Sequence, residues 1–125
     1  MKKYQGGCHC GRVRFEIETE LTRATECNCS ICMKKGALHH RVAPERFRLL
    51  SGPASLTLYQ SGTKIARHWF CRHCGIHTHS NPRAAPDMVS VNLRCLDDFE
   101  TEKDNIEIRQ FDGRNWEAAS KTFKF

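Results

Sequence analysis

The sequence predicts a mainly β fold: one domain spanning residues 1–125, built of small packed antiparallel sheets with short helical turns and stapled by zinc. Three observations predict it. Apolar residues recur mostly at every second position, the period of a strand with one buried face. Leu, Ile, Val and Phe make up only one fifth of the chain, at the poor edge of what a packed core needs. Eight cysteines accompany this thin core, so cross-links or metal are expected to supply part of the stability. A second domain would leave each half too small to bury a core of its own.

The elements follow in order. Val13, Phe15 and Ile17 alternate with Arg12, Arg14 and Glu16, which predicts a strand over 11–17. Ser30 is placed to cap a short helix running through Met33, Lys34 and Lys35, with Gly36 near its end. Phe47 and Leu49 mark a second strand, and Leu56 and Leu58 a third. Lys64 to Phe70 reads as a strand with Ala66, His68 and Phe70 on one face. Met88 to Cys95 places Val89, Val91, Leu93 and Cys95 on one side. A helical turn is expected over Leu96–Phe99, and shorter strands over Asn105–Phe111 and Lys121–Phe125. Ser51-Gly52-Pro53, Ser61-Gly62, Asn81-Pro82 and Asp112-Gly113 break the chain between elements. The segment 81–87, with two prolines, is expected to be the most mobile loop.

Composition narrows the function. The formal charge of +6 favours anionic partners. Yet Arg12, Arg14, Lys34, Lys35, Arg46, Arg48 and Arg83 are scattered, with no basic run and no aromatic-rich recognition motif, so nucleic acid is disfavoured. Zinc–thiolate centres would carry net negative charge and weaken that case further. No stretch of 18 apolar residues exists to span a membrane. The first residues reach a cysteine before any apolar run, unlike a secretory signal. A reducing, cytoplasmic setting is therefore expected, where clustered cysteines bind metal more often than they form disulfides.

Seven of the cysteines fall into three tight groups. Cys8-His9-Cys10-Gly11 is a CxCG hook, and Cys71-Arg72-His73-Cys74-Gly75 is a CxxCG knuckle. Together they offer four thiolates, the donor set of a closed, structural zinc site. A glycine after the last ligand of each pair permits the positive φ that turns backbone N–H groups toward the sulfurs. The alternatives are two disulfides or four unrelated buried thiols. Cys27-Asn28-Cys29-Ser30-Ile31-Cys32 is a CxCxxC triplet without a local fourth donor. Three protein ligands and one exchangeable position are the pattern of a reactive zinc. Lys34 and Lys35 follow at once, making the site electropositive enough to hold thiolates and attract a carboxylate. The alternative is a second structural zinc completed by a distant Cys or His. Cys95, the remaining cysteine, reads as a small buried hydrophobe before it reads as a ligand.

Among the histidines, His39-His40 reads as a solvent-facing loop, His68 as a core residue with one hydrogen bond, and His73 as solvent-exposed. His77 and His79 alternate on one face and are candidates to line a cleft as acid/base groups.

The order CHCG-x-VRFE, then CxCSxC-x-K-x-G, then H-x-FCxxCG resembles the glutathione-dependent formaldehyde-activating enzyme family, its small bacterial relatives, and the zinc domain of centromere protein V. The resemblance runs from Gly7 to about Phe111; Val91-Asn92-Leu93-Arg94-Cys95-Leu96 resembles the small relatives most. It implies a zinc-stapled β fold with Cys8, Cys10, Cys71 and Cys74 on a structural zinc. It implies Cys27, Cys29 and Cys32 on a second, catalytic zinc. The implied activity is reversible addition of glutathione to formaldehyde, giving S-(hydroxymethyl)glutathione, formally a carbon–sulfur lyase reaction on a small thiol adduct. The sequence does not identify the group that protonates the product oxygen.

Two other readings stand beside the enzyme. One is a non-catalytic zinc-stapled binding module, carrying glutathione or contacting protein or nucleic acid. The other is a thiol redox or metal-handling protein, although the βαβ context of a redox CxxC is absent.

Overall fold

Tyr4 and Gly6 point inward from β1 (Lys2–Gly7) and meet Ile17 and Phe15 of β2 (Arg14–Thr19), its antiparallel neighbour. Phe15 and Ile17 are fully buried, as their alternation with charged residues requires. On the other side β2 pairs with β5 (Phe47–Ser51), opposing Ile17 to Phe47 and Phe15 to Leu49. These three strands form the smaller sheet of the computed structural model, which describes residues 1–125.

A seven-stranded sheet covers that face. Its strands in sequence are β3 (Arg23–Cys27), β4 (His39–Val42), β6 (Leu56–Tyr59), β7 (Arg67–Cys71), β8 (His77–Asn81), β9 (Val89–Asn92) and β10 (Glu107–Phe111). Across the sheet they run β10-β3-β4-β9-β8-β7-β6. One core cluster joins the two sheets, uniting Phe15 and Ile17 with Val42, Val89, Val91 and Leu93. A small second cluster, Cys8, Val13 and Cys71, sits where the hook meets the knuckle.

The molecule is mainly β, with short helices, as expected. Several elements differ from expectation, each for a physical reason. The β3–β10 pair is parallel rather than antiparallel, because the long connection from β3 lets the chain return in the same direction. Strands β1, β3, β4 and β8 carry glycine, threonine or histidine at inward positions, so no apolar alternation marks them. The strand beginning at Met88 stops at Asn92, whose side chain accepts from the Arg94 amide and caps a 3₁₀ turn over Leu93–Cys95. Lys64 takes a positive φ of 58°, which confines β7 to Arg67 onward. The expected helical turn lies later, in α2 (Phe99–Glu102). Residues 121–125 form no strand; Phe123 and Phe125 fold back onto Phe111 with ring centroids 5.0 and 5.3 Å away. A further short helix, α3 (Trp116–Ala119), precedes them.

Candidate functional site

The hook and the knuckle come together across the two sheets. The sulfurs of Cys8, Cys10, Cys71 and Cys74 lie within 4.8 Å of one another. Four sulfurs bound tetrahedrally at about 2.3 Å from one ion stand about 3.8 Å apart. Cys8 and Cys10 are 3.6 Å apart at Sγ, and Cys10 and Cys71 are 3.7 Å apart. All eight cysteines are free, and the sulfurs of the group stand well beyond the roughly 2.05 Å of a disulfide bond. Gly11 and Gly75 take φ of 84° and 77°, as the sequence predicts for residues turning the backbone behind a ligand. The Val13 amide donates to Cys8 Sγ at 3.3 Å and the His73 amide to Cys71 Sγ at 3.4 Å. The Arg12 backbone amide, followed by its side chain and the neighbouring thiols, lowers Cys10 to about 6. The group fits a closed metal site.

The triplet is built on α1 (Ser30–Lys35). Cys29, rather than Ser30, is the N-cap: its Sγ accepts from the Cys32 amide at 3.4 Å. The Cys29 amide donates to Cys27 Sγ at 3.5 Å. The three sulfurs are mutually within 4.8 Å and fit one ion through three donors. Thiol hydrogen bonds from Cys27 and Cys32 pull Cys29 down to about 2, while sharing those protons holds Cys27 and Cys32 above the usual thiol value. A cation bound here would hold all three sulfurs as thiolates, in competition with their protons. Cys95 joins neither group. Its thiol donates to the His77 carbonyl at 3.3 Å, and burial raises it to about 12.

The triplet opens on a cavity of about 820 Å³. Strand pairing builds its floor: Arg41 opposes Ser90, Ser90 opposes Ser80, and Ser80 opposes His68. His39 and His40 therefore do not form a solvent-facing loop. His40 lies in the inter-sheet core, donating from Nδ1 to the Arg23 carbonyl and bonded at Nε2 to Thr19 Oγ1. His39 turns to the cavity, its Nδ1 is 3.2 Å from Ser90 Oγ, and its Nε2 is buried without a partner. His68 is also a cavity residue, accepting at Nδ1 from Lys35 Nζ at 2.9 Å.

A bulge separates the histidine pair of β8. His79 opposes Trp69 and His77 opposes Phe70, so Thr78 is skipped and the alternation reverses. His79 packs between the sheets on Phe47, at 4.7 Å between centroids. His77 faces the triplet side, where Lys35 Nζ lies 3.3 Å from its Nε2. Burial, then the Lys35 charge, lowers His77 to about 2 and His39 and His68 to about 4. Lys35 lies among these imidazoles behind the sulfurs, and burial lowers its own pKa from the usual lysine value. Lys34 is exposed, and His73 is exposed as expected.

Three site features escape the motifs. Asn28 donates to Asp112 Oδ1 and accepts from the Arg114 amide, each at 3.0 Å, clamping the 112–114 turn against the triplet. Gly113 sits so close that a Cβ there would be 2.4 Å from Cys27 Sγ. Trp116 and Phe125 wall the cavity. Asp112-Gly113 was legible only as a chain break.

The comparisons agree with this geometry. A solved crystal structure of a Rhodobacter sphaeroides protein is 37% identical, with a TM-score of 0.75, covering 84% of this chain and 99% of that one. A family model described as glutathione-dependent formaldehyde-activating enzyme matches residues 3–112, which hold both sulfur groups and the sheet beneath them. The chain belongs to the glutathione-dependent formaldehyde-activating enzyme family.

Proposed function

We propose that the chain adds a glutathione-type thiol reversibly to formaldehyde and, in the reverse direction, acts as a carbon–sulfur lyase. In this reading Cys8, Cys10, Cys71 and Cys74 hold a structural zinc, and Cys27, Cys29 and Cys32 hold a catalytic one. The observation that carries it is the contrast between the groups: four sulfurs close one site, whereas three leave the other open to the cavity. When bound at the triplet, zinc supplies the Lewis acidity that keeps an incoming thiol ionised at neutral pH.

The chain's own residues orient and protonate. The new carbon–sulfur bond forms as the carbonyl π pair moves to oxygen; the thiol gives up its proton and the oxygen takes one, giving the hydroxymethyl thioether. His39 is the donor for that oxygen. It is neutral, its Nδ1 can accept from the Ser90 hydroxyl, and this tautomer leaves an N–H on the partnerless Nε2. Lys35 Nζ stands behind the sulfurs within hydrogen-bond distance of His68 and His77, and burial pulls it below the usual lysine value. The cavity is of the size that takes small-molecule ligands and suits a tripeptide. Eight free thiols suit a reducing compartment.

Exchange between free formaldehyde and S-(hydroxymethyl)glutathione, followed by NMR, tests this reading. The zinc-loaded protein accelerates it. Cys29→Ser folds and loses the acceleration, whereas His39→Ala keeps its metal and is slowed about 100- to 10,000-fold. A folded Cys29→Ser protein that matches wild type overturns the reading.

A further inference from the structure

We infer that Arg41 anchors a carboxylate of the thiol ligand, so that the cavity selects thiols carrying a carboxylate remote from the sulfur; this rests on the thiol reading above. Arg41 begins the polar row that continues through Ser90 and Ser80 across the large sheet. Paired side chains on one face lie about 4.5–5.5 Å apart, so the row forms a continuous floor to the cavity that the triplet also lines. Arg41 is its one permanent charge. It enters none of the ion pairs of the molecule, and its Nε is buried without an acceptor. Arg41 as a whole is half-buried, and a buried N–H without an acceptor is costly and ordinarily paired.

The other cavity arginines are already occupied. Arg83 pairs with Glu117 at 2.8 Å and stacks on Trp116 at 3.7 Å, and Arg23 donates to the Phe125 carbonyl. The Arg41 guanidinium sits over the Phe125 ring, with Cζ 3.8 Å from its centroid. Stacking of one face leaves the planar N–H edge for hydrogen bonding, and that fork matches a carboxylate. Phe125 and Trp116, which wall the cavity here, lie beyond residues 3–112, the span that matches the family model.

Titration calorimetry with S-methylglutathione and its diethyl ester tests the anchor without relying on sulfur ionisation, because a thioether forms no thiolate. The zinc-loaded wild type should bind the free acid about 10- to 100-fold more tightly than the diester. Arg41→Gln should remove that advantage and leave diester binding unchanged. Arg41→Lys, which keeps the charge but not the fork, should retain part of it and serves if the Gln variant does not fold. Phe125→Ala should weaken the acid about 2- to 5-fold by freeing the guanidinium. Equal affinity for acid and diester, or an undiminished advantage in Arg41→Gln, overturns the anchor while thiol-dependent formaldehyde exchange still stands. Failure to bind either ligand, together with no acceleration of that exchange, overturns both.

Discussion

Gly113 leaves no room for a side chain beside the triplet. A methyl group there would sit 2.4 Å from Cys27 Sγ and 2.9 Å from Cys29 Cβ. Both neighbours are held by the hydrogen bonds of a capped helix and an Asn28 clamp, so neither yields cheaply. Gly113→Ala should therefore push the 112–114 turn away or displace Cys27, at a cost of about 1–3 kcal/mol. The expected outcome is a folded protein that loses metal from the triplet and keeps it at the hook and knuckle. Native mass spectrometry of the zinc-loaded variant checks this; full metal retention would show that the close approach is incidental. The cysteine groups and the left-handed glycines behind them were readable in the chain, because ligand spacing and backbone turning are local properties. Gly113, His39 and Arg41 were not. Each acquires its role from a neighbour far away in sequence: Cys27, Ser90 and Phe125 respectively.

At the level of elements, the hook lies between β1 and β2 and the knuckle between β7 and β8, so their meeting ties the smaller sheet to the larger. The residues around it, Val13, Leu49, Leu56 and Cys74, form only a minor cluster with little apolar area of its own. Metal free energy at this junction should count directly as folding free energy, on the order of 10 kcal/mol in zinc-finger peptides. Cys71→Ser, or chelation of the wild type, should thus unfold the protein or lower its thermal midpoint steeply, whereas Cys29→Ser should shift it by a few degrees at most. Circular dichroism melts of the three samples decide it, and equal sensitivity of the two variants would contradict the division of roles. Alternation correctly announced β2, β5 and β9, because their inward positions are Phe, Ile, Leu or Val, and it also marked β6, β7 and β10, although Leu58 and Ile108 stay exposed. It missed β4 and β8, whose inward histidines look polar, and β8 further hides behind its bulge.

At the scale of the whole molecule, burial between the sheets holds His79 neutral, with its pKa lowered from 6.5 to about 4. The unfolded chain then binds more protons than the folded one in that window, so stability rises with pH there. The contribution is complete above about pH 6.5 and is lost as the pH falls toward 4. Between pH 7 and 5.5 this amounts to about 1 kcal/mol. Urea midpoints of the wild type in excess zinc should fall across that interval more than those of His79→Leu. Parallel slopes for the two proteins would place the acid sensitivity elsewhere. The apolar fraction, the cysteine count and the three spaced cysteine groups by themselves determined a thin-cored β domain with two sulfur sites, one of four donors and one of three. Those features depend on residue type and short spacing, which need no fold to be read. Tertiary structure alone decided that the triplet opens on a cavity floored by Arg41, Ser90, Ser80 and His68 and walled by Trp116 and Phe125. Strand order and register bring those side chains together from separate parts of the chain, and neither is encoded in any local pattern.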